Sequence, residues 1–162
     1  MSKPFLAAFG IAVVVIAFLV WRGFVDTKGN HLEPVGKIGK VRAQKVDDNE
    51  VIVVFDFRAT NDADVDMVVR GAEASIDTAD GSSVNGSLLA GVDLANVFRN
   101  YKELGEEYNP PLRTREAIKG HTSADRMVGF RFDVPEEVVT KRKGVVLRVE
   151  DITGPVLELK AK

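Results

Sequence analysis

The sequence contains no cysteine and only two histidines, His31 and His121, among its 162 residues. These absences exclude disulfide scaffolds, thiolate zinc sites, iron–sulfur clusters, cysteine nucleophiles and any His-rich metal site. The 22 Lys and Arg residues against 24 Asp and Glu residues give a net charge of −2. The chain therefore lacks the basic excess of a general nucleic-acid binder, and no nucleic-acid partner is expected. It also contains no G-x-S-x-G elbow, phosphate-binding loop or dinucleotide fingerprint.

The longest apolar run extends from Phe5 to Trp21, 17 residues without a polar side chain. As a helix this run would rise about 25 Å, within the range that crosses a bilayer. Trp21 and Arg22 end it with an interfacial aromatic ring and a snorkelling cation. Since no A-x-A pattern follows, cleavage of a signal peptide is disfavoured. We therefore predict that residues 1–22 are a single-pass transmembrane anchor.

The orientation of this anchor depends on weak charge signals. Lys3 precedes the run, and Arg22 and Lys28 follow it, so the positive-inside count is nearly balanced. A short N-terminal tail is typical of an uncleaved signal anchor, so we expect the C-terminal domain to lie outside the cytoplasm. Residues 23–39 contain several glycines and Pro34 and are predicted to be a linker. Residues 40–162 are predicted to form the folded domain.

The folded domain shows the alternation of apolar and polar residues that predicts β-strands. The clearest strand is Val51–Ala59, and a second long one covers residues 128–134. Turn residues such as Asn61, Asn85-Gly86 and residues 153–155 separate six or seven short strands. Because strands and helices do not alternate regularly, we predict an antiparallel β-sandwich of immunoglobulin type rather than a βαβ fold.

One segment of the domain has helical periodicity. Leu94, Val97, Phe98, Tyr101 and Leu104 form an apolar stripe at helical spacing. We predict an inserted amphipathic helix that covers one end or edge of the sandwich. Such a stripe usually belongs to a core. If the sandwich is complete without it, Leu94, Val97, Phe98 and Tyr101 become a partner-binding surface.

Two segments carry a resemblance to known domains: VIVVFDFRATNDADVDM (51–67) and IKGHTSADRMVGFRFDVP (118–135). In both, a strand is joined to a turn or loop that contains Asn or Gly. They resemble the immunoglobulin-like domains of bacterial membrane-anchored accessory proteins, including telokin-like domains, and the water-stress and hypersensitive-response domains. The resemblance implies a β-sandwich with a binding, scaffolding or envelope-maintenance role and no catalysis.

The sharpest candidate for chemistry is an acidic cluster of Asp62, Asp64, Asp66 and Glu73. Their spacing matches positions 1, 3, 5 and 12 of a calcium-binding loop. Position 6, which requires Gly for a sharp turn, is Met67, and the flanking segments are predicted strands rather than helices. The competing interpretation is a solvated acidic turn whose charges limit edge-to-edge pairing, and the sequence favours it. Calcium is therefore a candidate cofactor only, and no other cofactor is expected.

A second polar cluster, His121, Ser123 and Asp125, contains the residue types of a serine triad. In a strand these three side chains would point the same way, so the histidine could not bridge the other two. A polar loop before a strand is the favoured interpretation. We therefore predict a noncatalytic, membrane-anchored accessory module of the bacterial envelope that binds the lipid bilayer and an envelope or membrane protein. The alternative is a small subunit of a larger membrane complex, and an enzyme is a distant third.

Overall fold

The computed structural model describes residues 13–21 and 32–162. The chain divides into two units between His31 and Leu32, and each is described by itself. In the first unit, residues 13–21 form a helix (α1) whose side chains are exposed. Among the residues described, no helix has the length and apolar content needed to cross a bilayer. Phe5, Arg22 and residues 6–12 of the predicted anchor lie outside the described residues.

Residues 32–162 form two antiparallel sheets. The first has the strand order β1-β2-β7-β5, and the second has the order β4-β3-β8-β9, with β6 paired to β3. The strands are β1 (Val35–Asp47), β2 (Glu50–Asn61), β3 (Met67–Asp77), β4 (Ser83–Asn85), β5 (Ser87–Leu88), β6 (Ala117–Ile118), β7 (Thr122–Phe132), β8 (Gly144–Asp151) and β9 (Val156–Ala161). The mainly β, antiparallel architecture predicted from the sequence is thus confirmed.

The first strand begins inside the segment predicted to be a linker. Val35 pairs with Thr60, so β1 runs beside almost the whole length of β2. Gly36, one of the glycines that suggested a flexible tether, allows this close pairing instead. A Cβ atom on Gly36 would collide with the Arg58 carbonyl oxygen. Residues 35–39, which the sequence analysis placed in the linker, belong to β1 in the structure.

The main core lies between the two sheets. The odd-numbered residues of β2 from Val51 to Phe57 share one face, as strand geometry requires, and are almost fully buried. Phe55 meets Phe130 of β7 edge to face, with ring centroids 5.9 Å apart. Side chains of the second sheet, such as Leu147, complete the same cluster. The two sheets therefore form a sandwich.

A second core lies on the outer face of the first sheet. The helix α2 (Gly91–Asn100) and the following 3₁₀ turn (Lys102–Leu104) pack against Ile52, Val54 and Met127. This explains why β2 is apolar on both faces at its start. The predicted helix is confirmed, but it covers a sheet face rather than an end or edge of the sandwich. The short helix α3 (Glu136–Thr140) follows Pro135 and links β7 to β8.

Candidate functional site

The apolar stripe of α2 is buried in the second core. Leu94, Val97 and Phe98 are 2%, 8% and 5% exposed, and Tyr101 packs half-buried beside them. They cover the outer face of β2, which would otherwise expose Ile52 and Val54 to water. These contacts within the chain support the core interpretation of the stripe, and partner binding by Leu94, Val97, Phe98 and Tyr101 stays a prediction.

A buried ion pair fixes the chain that follows α2. Arg42 of β1 lies with Nη2 2.8 Å from Oδ2 of Asp56, and both side chains are less than a tenth exposed. Arg42 Nη1 donates hydrogen bonds to the carbonyl oxygens of Leu104 and Glu106, at 2.9 and 2.8 Å. The guanidinium also lies over the Phe98 ring, 4.9 Å from its centroid. Since Arg42 is surrounded by partners from its own chain, we interpret this pair as structural.

The chain then continues from this ion pair to β7. Asn109 Nδ2 donates to Oδ1 of Asp56 at 3.0 Å. Three residues later, Leu112 N–H donates to the Met127 carbonyl oxygen at 2.8 Å, and Met127 N–H donates to the Pro110 carbonyl oxygen at 3.0 Å. Segment 110–112 therefore lies along β7 and partly covers the edge of the first sheet.

The acidic cluster proposed for calcium is divided between different partners. Asp66 accepts hydrogen bonds from Lys119 Nζ at 2.6 Å and from Gly120 N–H at 3.2 Å. Both bonds lower the pKa of its carboxyl group, the Lys119 contact most strongly. Asp64 Oδ1 lies 2.7 Å from His121 Nε2. Glu73 stands seven residues beyond Asp66 along β3, roughly 20 Å away at strand spacing.

The same cluster is open to solvent, and Asp62, Asp64, Asp66 and Glu73 are all exposed. Within residues 13–21 and 32–162, no group of three or more His, Asp or Glu side chains is placed to hold a metal ion. The calcium site at Asp62, Asp64, Asp66 and Glu73 stays a prediction from spacing. The geometry supports the competing interpretation, an acidic turn paired with Lys119 and His121.

The three side chains of the triad-like sequence also have separate partners. His121 meets Asp64, whereas Ser123 Oγ lies 2.8 Å from Thr60 Oγ1. Asp125 accepts two hydrogen bonds from Arg58, at 2.7 and 2.6 Å, and this pair lowers the pKa of the Asp125 carboxyl. Ser123 and Asp125 lie inside β7, and only His121 precedes it, so the polar loop expected from the sequence is wrong for these two residues.

A groove of about 590 Å³ lies at one side of the sandwich in the folded unit. We call it the β3 groove. It lies between β3 on one side and β5 with the start of α2 on the other, and segment 111–114 closes one end. Its lining is mostly apolar and comprises Val69, Gly71, Ala72, Leu88, Leu89, Ala90, Gly91, Val92, Ala95, Asn96, Arg99, Pro111, Leu112, Arg113, Thr114 and Val128.

One wall of the β3 groove is an incomplete strand edge. On this side β3 pairs with β6 at residues 67–68 and with β4 at residues 75–77. Between them, Val69 exchanges hydrogen bonds with segment 115–116, and the Ala74 carbonyl accepts from Gly86 N–H. In the part of the chain that the structure describes, no strand pairs with residues 70–73 on this edge. Residues 70–73 are therefore a gap in the second sheet.

The charged residues of the β3 groove are all of one sign. Arg99 and Arg113 line it, and no Asp or Glu does. Neither guanidinium has an ion pair or a hydrogen bond within residues 32–162. The signal that could have pointed here is Gly71, since a glycine inside a strand often marks a place where another backbone approaches closely.

No family model and no curated protein matches the chain. Among solved structures, it is similar to the archaellum periplasmic stator protein FlaG from Sulfolobus acidocaldarius, with 8% identity over 81% of this chain and 100% of that chain, at a TM-score of 0.36. The complex of FlaF and FlaG from the same organism gives 8% identity, 78% and 87% coverage, and a TM-score of 0.38. An uncharacterised β-sandwich protein from Clostridium difficile 630 has 17% identity over 82% of this chain and 82% of that chain, at a TM-score of 0.32. Since likeness at this level transfers neither function nor partner, the β3 groove is interpreted from its own geometry.

Proposed function

We propose that the chain is a noncatalytic accessory module, anchored in a membrane by residues 1–22, whose folded unit binds an envelope or membrane protein through the β3 groove. The observation that carries the proposal is this groove, which combines an apolar lining with two unpaired arginines. Binding sites are typically concave and mainly apolar, with a few polar groups that fix orientation. Placement of residues 32–162 outside the cytoplasm and a relationship to immunoglobulin-like accessory domains belong to the same proposal.

The anchor gives such a binding role a physical advantage. Holding the folded unit at a bilayer raises its effective concentration near other proteins of that bilayer. Support comes from the charge-free run in the sequence and from α1, in which Val14, Ile16 and Leu19 lie on different sides of the helix and are each more than half exposed. Apolar side chains exposed around a helix are typical of a segment that is buried in lipid or against other helices.

The membrane anchor is tested by fractionation of cells that express the full chain. We expect the wild-type protein to sediment with membranes and to resist extraction by alkaline carbonate. Val15→Arg places a charge in the middle of the run, at a cost of roughly 2.5–3.5 kcal/mol for insertion, and should move much of the protein to the supernatant. Val15→Leu is the matched control and should behave like the wild type. A wild-type chain that stays in the aqueous fraction would rule out the anchor.

The binding role is tested by photo-crosslinking in living cells with the intact chain. A benzophenone amino acid at Val92, on the rim of the β3 groove and 75% exposed, should give a discrete adduct with one protein. The matched control is Val156, another exposed valine outside the groove lining, which should give none. Equal adducts at both positions would mean collision rather than binding. The absence of an adduct at Val92 would contradict the proposed function.

A further inference from the structure

We propose that the β3 groove binds an extended acidic segment of a partner protein, which adds as a short strand to the gap at residues 70–73 of β3. This inference rests on the proposed function and specifies the chemistry of its partner. Three features carry it: the unpaired strand edge, the apolar floor beside it, and the charge of the rim.

The strand edge sets the backbone conformation and length of the guest. Residues 69–74 separate the β6 pairing at Val68 from the β4 pairing at Ser75. Six residues of strand cover about 20 Å, and Val69 and Ala74 already have partners, so about four residues remain to be paired. Ala72 presents its N–H and C=O on the same side as Ala74, because backbone groups alternate along a strand. A guest strand would supply the missing donor and acceptor.

The floor of the groove favours apolar side chains on one face of the guest. Ala72 and Val128 are buried at its base, and Leu88 and Val92 are 47% and 75% exposed at its rim. Gly71 leaves open space, since a Cβ atom built there meets no atom within 4 Å. A strand side chain that points into the groove would cover this apolar surface, and every second residue of the guest would make such a contact.

The rim favours carboxylates on the guest. Arg99 of α2 and Arg113 of segment 111–114 stand in the lining without an acidic neighbour in it. Arginine donates paired hydrogen bonds that match the geometry of a carboxylate. This local positive charge contrasts with the net charge of −2 of the whole chain. An acidic guest would neutralise it, whereas a basic guest would be repelled.

The strand edge also distinguishes a peptide from an anionic lipid. A lipid could place a phosphate on Arg99 and Arg113 and its acyl chain on the apolar floor. It would, however, cover the N–H and C=O of Ala72 without a hydrogen-bond partner, which is costly for a buried backbone group. An extended peptide satisfies the backbone, the apolar floor and the arginines together.

The test uses the full chain in dodecyl maltoside micelles and fluorescein-labelled peptides, with binding measured by anisotropy. The acidic probe is Val-Thr-Val-Glu-Val-Glu with blocked ends, and the charge control is Val-Thr-Val-Lys-Val-Lys. We expect saturable binding of the acidic probe and at least tenfold weaker binding of the basic one. Arg99→Gln and Arg113→Gln should each weaken the acidic probe about tenfold, because each removes a charge-assisted hydrogen bond. Arg148→Gln, which changes an exposed arginine outside the groove, should leave binding unchanged.

The strand-addition geometry is tested with the same acidic sequence carrying N-methyl groups on alternate residues, in two registers. The peptide methylated in one register should bind at least tenfold more weakly, because its N-methyl groups replace the N–H donors that would pair with β3. Equal binding of both registers and the parent peptide would overturn strand addition.

Displacement of the acidic probe by phosphatidylglycerol vesicles, but not by unlabelled peptide, would assign the groove to lipid and overturn the proposal. If no peptide binds while Val92 still crosslinks to one protein, this inference fails and the proposed function stands. Loss of the Val92 adduct and of membrane association would instead remove the proposed function itself.

Discussion

The two sides of the sandwich differ in how closely the edges of the two sheets approach each other. On one side β1 and β9 close the space between the sheets, and Gly36 of β1 lies so near Leu159 of β9 that a Cβ atom would be 3.2 Å from its Cδ2 atom. On the other side β3 and α2 stand apart, and a Cβ atom on Gly71 would meet nothing within 4 Å. Both glycines lie in strands, yet one makes close packing possible and the other lies beside empty space. The comparison shows that the core is closed on the side of β1 and β9, whereas the β3 groove stays open and is free to hold a binding partner.

The largest expected effect concerns the ion pair that holds the chain leading to the open side. Arg42→Met leaves the Asp56 carboxylate buried without its cation and removes the donor to Leu104 and Glu106. We expect a loss of about 3–5 kcal/mol in the free energy of unfolding, measured by urea denaturation. The double variant Arg42→Met/Asp56→Leu should recover part of this loss, because the buried charge is gone while the carbonyl groups still lack their donor. No recovery in the double variant would contradict the ion-pair interpretation.

A matched pair of leucines compares the closed and open sides directly. Leu159 is 2% exposed on the closed side, and Leu88 is 47% exposed on the rim of the β3 groove. Leu159→Ala should cost about 2–5 kcal/mol, because it leaves a cavity in the core. Leu88→Ala should cost less than about 0.5 kcal/mol, as exposed substitutions usually do. Thermal or urea unfolding of both variants measures the difference, and similar losses would mean that the groove is part of the core.

A matched pair of glycines gives a smaller but sharper contrast. Gly36→Ala should destabilise the fold by about 1–3 kcal/mol, because the added methyl group collides with the backbone of β2. Gly71→Ala should be neutral or stabilising by up to about 1 kcal/mol, since the methyl group enters open space and the unfolded chain loses freedom. Unfolding free energies of the two variants decide the point. A destabilising effect of Gly71→Ala would show that neighbouring groups pack closely against Gly71 and would contradict the open space at this side.

The smallest effect is a pH dependence at the β3–β4 hairpin, which borders the open side. Hydrogen bonds from the Thr78 hydroxyl and from the N–H and hydroxyl of Ser82 lower the pKa of Asp80 from its ordinary value of 3.8 to about 2. Because the folded state holds the carboxylate more strongly, its stabilising contribution is complete above about pH 4 and is lost as the pH falls through about 2.

This dependence is isolated by comparing wild type with Asp80→Asn, so that the other carboxylates contribute equally to both. The wild type should lose more stability than Asp80→Asn between about pH 5 and pH 2. Parallel pH profiles for the two proteins would contradict the hydrogen-bonded turn.

Local pattern was enough to predict much of the fold. The alternation of Val51, Val53, Phe55 and Phe57 identified β2, and the spacing of Leu94, Val97 and Phe98 identified α2, because each pattern reports the geometry of a single element. The position of α2 was not predictable in the same way. It depends on the outer face of β2, where Ile52 and Val54 need cover, and this is a contact between distant parts of the chain.

The candidate site was largely beyond sequence reasoning. The gap at residues 70–73 exists because β4 and β6 are only three and two residues long, and β6 pairs with β3 from far along the chain. Neither short strand has a pattern of its own that predicts it. Arg99 and Arg113 likewise become neighbours of the groove only through the fold. The sequence instead emphasised the residues Asp62, Asp64 and Asp66, whose spacing is local.

The central claim is that residues 70–73 of β3 are an open strand edge that a partner completes. Amide hydrogen exchange of the full chain in micelles tests it most directly, by comparing Ala72 with Ile76, which pairs with Val84. In the free chain the Ala72 amide should exchange much faster than the Ile76 amide, and saturation with the acidic probe should slow Ala72 at least tenfold while leaving Ile76 unchanged. An Ala72 amide that is already protected in the free chain, or one that the bound peptide does not slow, would contradict the claim.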